Sequence, residues 1–596
     1  MTPPEHINEP STIRDSAKPL AGMLLDVLEA HGVKDIVCSP GSRNAPLLMA
    51  ARARRNLAKH IIVDERTAAF TALGMSTVSR RPTALICTSG TAILNYAPAV
   101  AEAYYQGVPL IVISADRPTE WIDQDDSQTI RQFESLANFV KGSYDISDRE
   151  QRDLDGWYEN RIANDAMLTA LRGKKGPVHI NVRLSPPLNE MVELRHPAPT
   201  PRIIREVADY PMPDKSLVKE LAARIVDKKV LVTLGFLAPD ARLNRAMLRL
   251  RDHDNVAVMA ETISNTHLPQ EDYVVDAMLC NLTDKQTSML EPDVVISVGG
   301  ALVSRMLKEF IRKSGRRHAV EHWSVGPTHT TVDCFQTLSL RIDADPALFL
   351  AALSAEMAHL KSIGATGKDA EGQLLDPSVI KGAHTYASSV MSNKRIAMSR
   401  VFSFASDAPW SELVAFIDIL NNIPASANLF LSNGTTVRYA QLVPYALPHA
   451  SYCNRGVSGI EGSTSTAVGG AMLYSGETVL ITGDMSFSYD LGGLSAASHF
   501  NPRLKIIVIR NGGGGIFRFI KATSSLPDRE EYLCADPGLN IAALASTFGF
   551  AHMEADSLSS LRERLAEFFN SPARTILEVI VPPNKSALLL KQFLKQ

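Results

Sequence analysis

Short β-rich apolar runs alternate with helix-like segments along this chain, and the alternation recurs three times. In the first third the runs are DIVC (35–38), HIIV (60–63), ALIC (84–87), LIVIS (110–114) and VHINV (178–182). The middle repeats the pattern with KVLVTLG (229–235), VAVMAE (256–261), DVVISVGG (293–300) and HAVEHW (318–323). The last third has NLFLSNG (428–434), TVLITGD (478–484), LKIIVIRN (504–511) and TILEVIV (575–581). Continuous apolar strands separated by helices are the pattern of a parallel sheet covered on both faces. The expected fold is therefore α/β, with three consecutive doubly wound parallel-sheet domains. A proline-rich break with Pro197, Pro199, Pro201, Pro211 and Pro213 reads as a first linker. A polar, less regular stretch reads as a second, partly helical one. The expected boundaries are 1–196, 197–360, a linker at 361–408, and 409–596.

Composition narrows the function classes. Of 596 residues, 45% are hydrophobic and 21% charged, ordinary values for a protein with sizeable cores. A formal net charge of −3 gives no bias toward nucleic acid. The six cysteines are scattered without a CxxC pair, against a zinc site or disulfide framework and for a reducing compartment. The start, MTPPEHINEPSTIRD, has no apolar signal core, and no later run reaches membrane-spanning length. A cytoplasmic protein with no membrane insertion is expected.

The stretch VIRNGGGGIF (508–517) sets four glycines after an apolar strand. Bare backbone there lets N–H groups approach an anion, and ligands of open α/β sheets bind beyond the carboxyl ends of the strands. The nucleotide fingerprints do not fit: GxGxxG needs a glycine where Phe517 stands, and GxxxxGK[ST] does not occur. Alone, the run is equally a ligand loop or a plain turn. The preceding strand ends in Gly483-Asp484, about one strand–helix–strand unit earlier, so both strand ends fall on one sheet edge. A carboxylate, the Asn511 amide oxygen and a loop carbonyl form a hard-oxygen set suited to Mg²⁺. The helix start at Met485–Ser486 adds N–H donors. Taken singly, Asp484 caps a helix and Asn511 turns the chain. Taken together with the glycines, they point to a metal-bound phosphate.

This arrangement resembles the diphosphate motif of the thiamine-diphosphate enzymes. In that family the positions matching Asp484, Asn511 and the Gly513 carbonyl hold Mg²⁺, or Mn²⁺ in its place, and the ion holds the cofactor's diphosphate. Gly483 and Ser486 match positions beside it. The next motif residue is usually Gly; here it is Met485, at a position that varies in parts of the family. The family also needs a carboxylate on the cofactor's aminopyrimidine ring. IIVDERTAAFTALGMS places Glu65 after a strand and before a small-residue helix. CTSGTAILNYAPAVAEAYYQGVPLIVISADRP resembles the family's pyrimidine-domain segment, and GPVHINVRL its closing strand. Read alone, Glu65 is a solvated charge in a first helical turn. The resemblance makes it the catalytic carboxylate, bonded to a ring nitrogen and setting up proton transfer within the cofactor. By the same resemblance Ile460, in NRGVSGIEG, props the bent cofactor; otherwise it is a core isoleucine. Ile516 and Phe517 become an apolar wall beside the reacting ring.

Within the family, several stretches resemble the branch that serves menaquinone biosynthesis: SPGSRNAPL (39–47), DERTAAFTALG (64–74), ISADRP (113–118), SQTIRQ (127–132), SNGTTVRY (432–439), YCNRGVSGIEG (452–462) and GGGGIF (512–517). Those transferases decarboxylate 2-oxoglutarate and add the remaining carbanion to isochorismate. Both substrates are dicarboxylates, and the resemblance sets Arg43, Arg117, Arg305, Arg438 and Arg455 at carboxylate-binding places. Arginine's planar fork donates two parallel hydrogen bonds to such groups; any one of these residues alone is as readily a surface salt bridge. Ser42, Gln128 and Phe517 are further implied substrate contacts. Gly434 departs from the branch's usual Ser, so that contact is lost or falls to Thr435. The resemblance also implies a homodimer, or two paired into a tetramer, with Glu65 and Asp484 of different subunits at each site. Two other readings stay open. An acetolactate-synthase-like or other 2-oxo acid decarboxylase shares Glu65, Asp484 and Asn511 but needs fewer cations. A non-catalytic phosphate-binding α/β protein explains the glycine loop but not Glu65.

Overall fold

The structure is a computed structural model; it describes residues 14–148, 154–193, 200–207, 214–364, 367 and 376–595. The first stretch contains β1 (Arg14–Ser16), β2 (Asp35–Cys38), β3 (Ala58–Ile61), β4 (Thr83–Cys87), β5 (Leu110–Asp116), β6 (Ser143–Ser147), β7 (Val178–Arg183) and β8 (Met191–Glu193). Six of these form a parallel sheet in the order β3-β2-β4-β5-β7-β6, while β1 and β8 pair as an antiparallel ribbon. The middle sheet holds β9 (Val230–Leu234), β10 (Val256–Ala260), β11 (Val294–Val298), β12 (Glu321–Val325) and β13 (Leu338–Ile342), in the order β10-β9-β11-β12-β13. The last holds β14 (Asn428–Leu431), β15 (Ala450–Cys453), β16 (Thr478–Gly483), β17 (Leu504–Arg510), β18 (Ala551–Ala555) and β19 (Thr575–Ile580), ordered β15-β14-β16-β17-β19-β18. Both of these sheets are parallel throughout.

Three parallel sheets interleaved with helices are the three-domain α/β architecture that the alternation predicts. The first and last sheets share one strand order, and all three reverse direction of growth after their first strand. That reversal opens a crevice at the carboxyl ends of the flanking strands. Of the parallel-sheet strands, the apolar runs failed to announce β6, β13, β15 and β18, all at sheet edges: β13 and β18 mix exposed and half-buried residues, β6 is mostly half-buried, and β15 is buried but is only the four residues ASYC. The run HAVEHW starts too early: β12 begins at Glu321.

The chain forms two compact units, one of Met1–Val207 with Val468–Leu473, the other of Ala208–Ala467 with Tyr474–Gln596. The second unit contains both the middle and last sheets because one apolar core serves both, running from Leu231, Met259 and Val295 to Val479, Ile507 and Val579. The segment 361–408 contributes to that core. Its described residues include the helices Pro377–His384 and Tyr386–Asp407. The longer one buries Tyr386, Val390, Lys394, Ala397 and Val401, a stripe at helical spacing. The buried Lys394 ammonium is neutralised by Asp272 at 2.7 Å. Asn265 fastens the two sheets further, its amide exchanging hydrogen bonds with the backbone N and O of Ser451 in β15. In the proline-rich break, Pro197, Pro199, Pro211 and Pro213 lie outside the described residues, as does the polar start through residue 13. All six cysteines are free thiols. Among the described residues no helix is long and apolar enough to cross a membrane.

Candidate active site

In the second unit β16 and β17 are parallel neighbours, with Gly483 paired to Ile509. Asp484 starts a short helix, Asp484–Tyr489, directly after β16. Its carboxylate turns across to the end of β17, where Oδ2 accepts from the backbone N–H groups of Asn511 (3.1 Å), Gly512 (3.0 Å) and Gly513 (3.0 Å). Oδ1 accepts from Met485 N at 2.8 Å. Burial raises the Asp484 carboxyl to about 6, against the pull of these N–H donors. The loop needs its glycines: Gly513 has φ +91°, and a Cβ there would lie 2.0 Å from the Cys534 carbonyl oxygen. Arg518, buried, donates to the carbonyls of Asn511 (2.8 Å) and Gly512 (2.7 Å) and pairs with Glu530. Asn511 donates Nδ2 to Glu412 Oε1 at 3.2 Å, while its Oδ1 is buried without a hydrogen-bond partner. Ser486 Oγ donates to the Ile460 carbonyl at 2.6 Å, so those two residues meet beside the pole. Ile516 and Phe517 open the turn Ile516–Phe519 and are half-buried.

A cavity of about 620 Å³ in the same unit is lined by Arg305, Arg438, Thr435, Asp276 and Phe519 among others. Burial, then the Arg455 guanidinium, lowers the Arg438 pKa; Arg305 adds to this and Asp276 opposes it. The three arginines thus share one field. Arg455 also donates to Asn433 Oδ1 at 3.0 Å. Ser304 caps the helix that Arg305 begins, and Glu261 accepts from the N–H groups of Val303 (2.6 Å) and Ser304 (2.8 Å). Gly434 has φ +99° with open space where a Cβ would stand. The Thr435 hydroxyl donates to Glu412 Oε1 at 2.6 Å, so its proton is already committed.

In the first unit Asp64 caps the helix Glu65–Ser79 through the N–H groups of Arg66 and Thr67, which fixes half-buried Glu65 as its first residue. The turn after β2 is stapled by Asn44, whose Nδ2 donates to the Ser39 carbonyl and whose Oδ1 accepts from Gly41 N. Ser42 is exposed on that turn. Arg43 is buried and donates to the Leu184 carbonyl at 2.9 Å; burial and the nearby Arg117 lower its pKa. Gln128 donates to the Ser89 carbonyl at 3.0 Å. Gln132, fully buried, accepts from Gly90 N at 2.7 Å. The sheet thus brings Arg43, Arg117 and Gln128 to the loops following its central strands.

Comparison with known proteins decides what these poles belong to. The description "Thiamine pyrophosphate enzyme, N-terminal TPP binding domain" matches residues 19–135, and its C-terminal counterpart matches 433–579. A 2-succinyl-5-enolpyruvyl-6-hydroxy-3-cyclohexene-1-carboxylate synthase of Porphyromonas gingivalis is 38% identical over 584 residues, covering 97% of each chain. One from Cytophaga hutchinsonii is 35% identical, over 96% of this chain and 97% of its own. The chain belongs to this synthase family. Among solved structures, benzoylformate decarboxylase from Polynucleobacter necessarius superposes with TM-score 0.67 at 18% identity, covering 95% of this chain and 98% of that one, a likeness of fold.

The synthase family's cofactor type fits the donor set. Among the described residues no three His, Cys, Asp or Glu side chains could hold a metal together. An ion at this pole would therefore need amide and carbonyl oxygens beside the Asp484 carboxylate, the hard ligands of Mg²⁺. The orphaned Asn511 Oδ1 is such an oxygen, left unpaired where a buried polar atom normally finds a partner. Glu412, Arg518, Asn433 and Gln132 escaped the sequence reading. Glu412 stands 99 residues before its partner Asn511, and no local pattern marks it.

Proposed function

We propose that this synthase-family chain decarboxylates 2-oxoglutarate and joins the remaining four-carbon unit by 1,4-addition to isochorismate. The product would be 2-succinyl-5-enolpyruvyl-6-hydroxy-3-cyclohexene-1-carboxylate, in menaquinone biosynthesis. The near-full-length likeness to synthases of that name carries this reading. Thiamine diphosphate, when bound, supplies the carbon nucleophile and electron sink. Asp484, Asn511 Oδ1 and the Gly513 carbonyl hold Mg²⁺ or Mn²⁺ beside its diphosphate, with Gly483 and Ser486 at the helix start. Ile460 would support the bound cofactor, and Ile516 and Phe517 would keep water from it. Glu65 holds a proton at the aminopyrimidine ring nitrogen. Arg305, Arg438 and Arg455, with Ser42, Arg43, Arg117 and Gln128, orient the substrate carboxylates.

In this reading residues 1–196 bind the pyrimidine ring, 197–360 form a central domain, 361–408 connect, and 409–596 bind the diphosphate. The protein works in the cytoplasm as a homodimer or homotetramer, Glu65 of one subunit serving the metal pole of another. The test is purified protein with Mg²⁺, thiamine diphosphate, 2-oxoglutarate and isochorismate, following isochorismate absorbance and product mass. Loss of isochorismate only with every component present is expected. Release of CO₂ from pyruvate, with isochorismate untouched, would overturn the substrate assignment while keeping the cofactor.

A further inference from the structure

We propose that Glu412 is a positioning residue that orients the Asn511 amide toward the metal and ties it to the wall of the arginine cavity. Glu412 begins the helix Glu412–Asn421 and is 4% exposed. Its Oε1 accepts from both Asn511 Nδ2 (3.2 Å) and Thr435 Oγ1 (2.6 Å). Its own backbone N donates to Ser586 Oγ at 3.0 Å, which anchors the helix start. An oxygen that already accepts from two donors has no proton of its own to offer. Asn511 must therefore present its NH₂ to Glu412 and turn Oδ1 away, and Oδ1 is the buried oxygen with no partner. Without Glu412, nothing on that side distinguishes the two amide orientations, and the reversed one points N–H groups where a cation belongs. The Thr435 proton is held by the same oxygen, so Thr435 faces the cavity it lines as an acceptor. It cannot donate to a substrate carboxylate in place of the Ser that Gly434 replaces. One carboxylate oxygen thus joins a metal ligand to a cavity residue.

This inference rests on Asn511 as a metal ligand. The test is Mg²⁺ titration by calorimetry on the full chain saturated with thiamine diphosphate, using variants whose melting temperature matches wild type. E412L is expected to weaken Mg²⁺ binding about tenfold or more, the usual effect of losing a partner that orients a ligand. E412Q offers an NH₂ as readily as an oxygen, so it should weaken Mg²⁺ binding severalfold. In N511D either carboxylate oxygen can face the ion, so orientation no longer matters, and E412L or E412Q should weaken Mg²⁺ binding clearly less in N511D than in the Asn511 chain. A merely structural or purely electrostatic Glu412 gives equal losses in both backgrounds. Should E412L not fold, E412Q in the two backgrounds decides alone. Wild-type affinity in E412L, or equal losses in the two backgrounds, would overturn the inference provided N511A binds weakly. Wild-type affinity in N511A would instead remove Asn511 from the metal site, and this inference with it.

Discussion

The ends of β16 and β10 carry the same device with different contents. Each strand is followed at once by a buried carboxylate, Asp484 or Glu261, that gathers backbone N–H groups from a loop after another strand. Burial raises both, Asp484 to about 6 and Glu261 to about 7. Around Asp484 the gathered loop is glycine, and an unpaired amide oxygen stands beside it. Around Glu261 the loop brings Leu302 and Val303, both buried in the core, and leads into the capped helix that carries Arg305. A buried carboxylate at a strand end is therefore first an organiser of loops. On the proposed function it would become a metal pole where the loop is bare and another oxygen is left free.

The largest expected effect separates these two uses. Asp484→Ala should abolish Mg²⁺-dependent retention of thiamine diphosphate, weakening it by more than the roughly 10–100-fold typical of partners behind the ligands. Calorimetry checks this, and unchanged binding would reduce Asp484 to an organiser like Glu261. Next comes the backbone. Gly513 and Gly434 both have left-handed φ, +91° and +99°, but only at Gly513 does a Cβ meet another atom, the Cys534 carbonyl oxygen. Gly434→Ala should cost about 1 kcal/mol, at the low end for such strain, and Gly513→Ala clearly more. Equal losses in urea denaturation would mean that conformation alone, and not close approach, dictates Gly513.

The pH-dependent effect belongs to Glu261. Its folded pKa lies above the unfolded value, so the folded state holds its proton longer. Stability from this group is present at low pH and is lost as pH rises from about 4.5 through about 7. Glu261→Gln does not titrate. The stability of wild type relative to E261Q should therefore fall between pH 5 and pH 8, and urea midpoints across that range would show it. A relative stability that rises with pH would mean Glu261 is held as an anion, by Arg455 and the N–H donors.

The architecture was legible because buried parallel strands leave continuous apolar runs. Edge strands such as β13 and β18 were not, since half their residues face solvent. The meeting of Asp484 with the glycine loop was legible because Asp484, Asn511 and the glycines lie within one strand–helix–strand unit. Glu412 was not, because a helix far upstream delivers it. The packing of the 361–408 segment was hidden for a related reason. Its apolar stripe includes Lys394, whose ammonium is met by Asp272 and the Val258 carbonyl, both from a distant part of the chain. The arginines were singled out by resemblance alone; the structure gathers Arg305, Arg438 and Arg455 into one field and sets Arg43 near Arg117 in the other unit.

The central claim is that Glu65 and the Asp484 pole serve one cofactor from different subunits. Glu65→Gln and Asp484→Ala chains, co-expressed with different tags and isolated as the mixed dimer, test it directly. Each variant alone should be folded and inactive. The mixed dimer holds one site with both native residues and should recover about half the wild-type isochorismate consumption, as two-fold symmetry requires. An inactive mixed dimer would contradict the account.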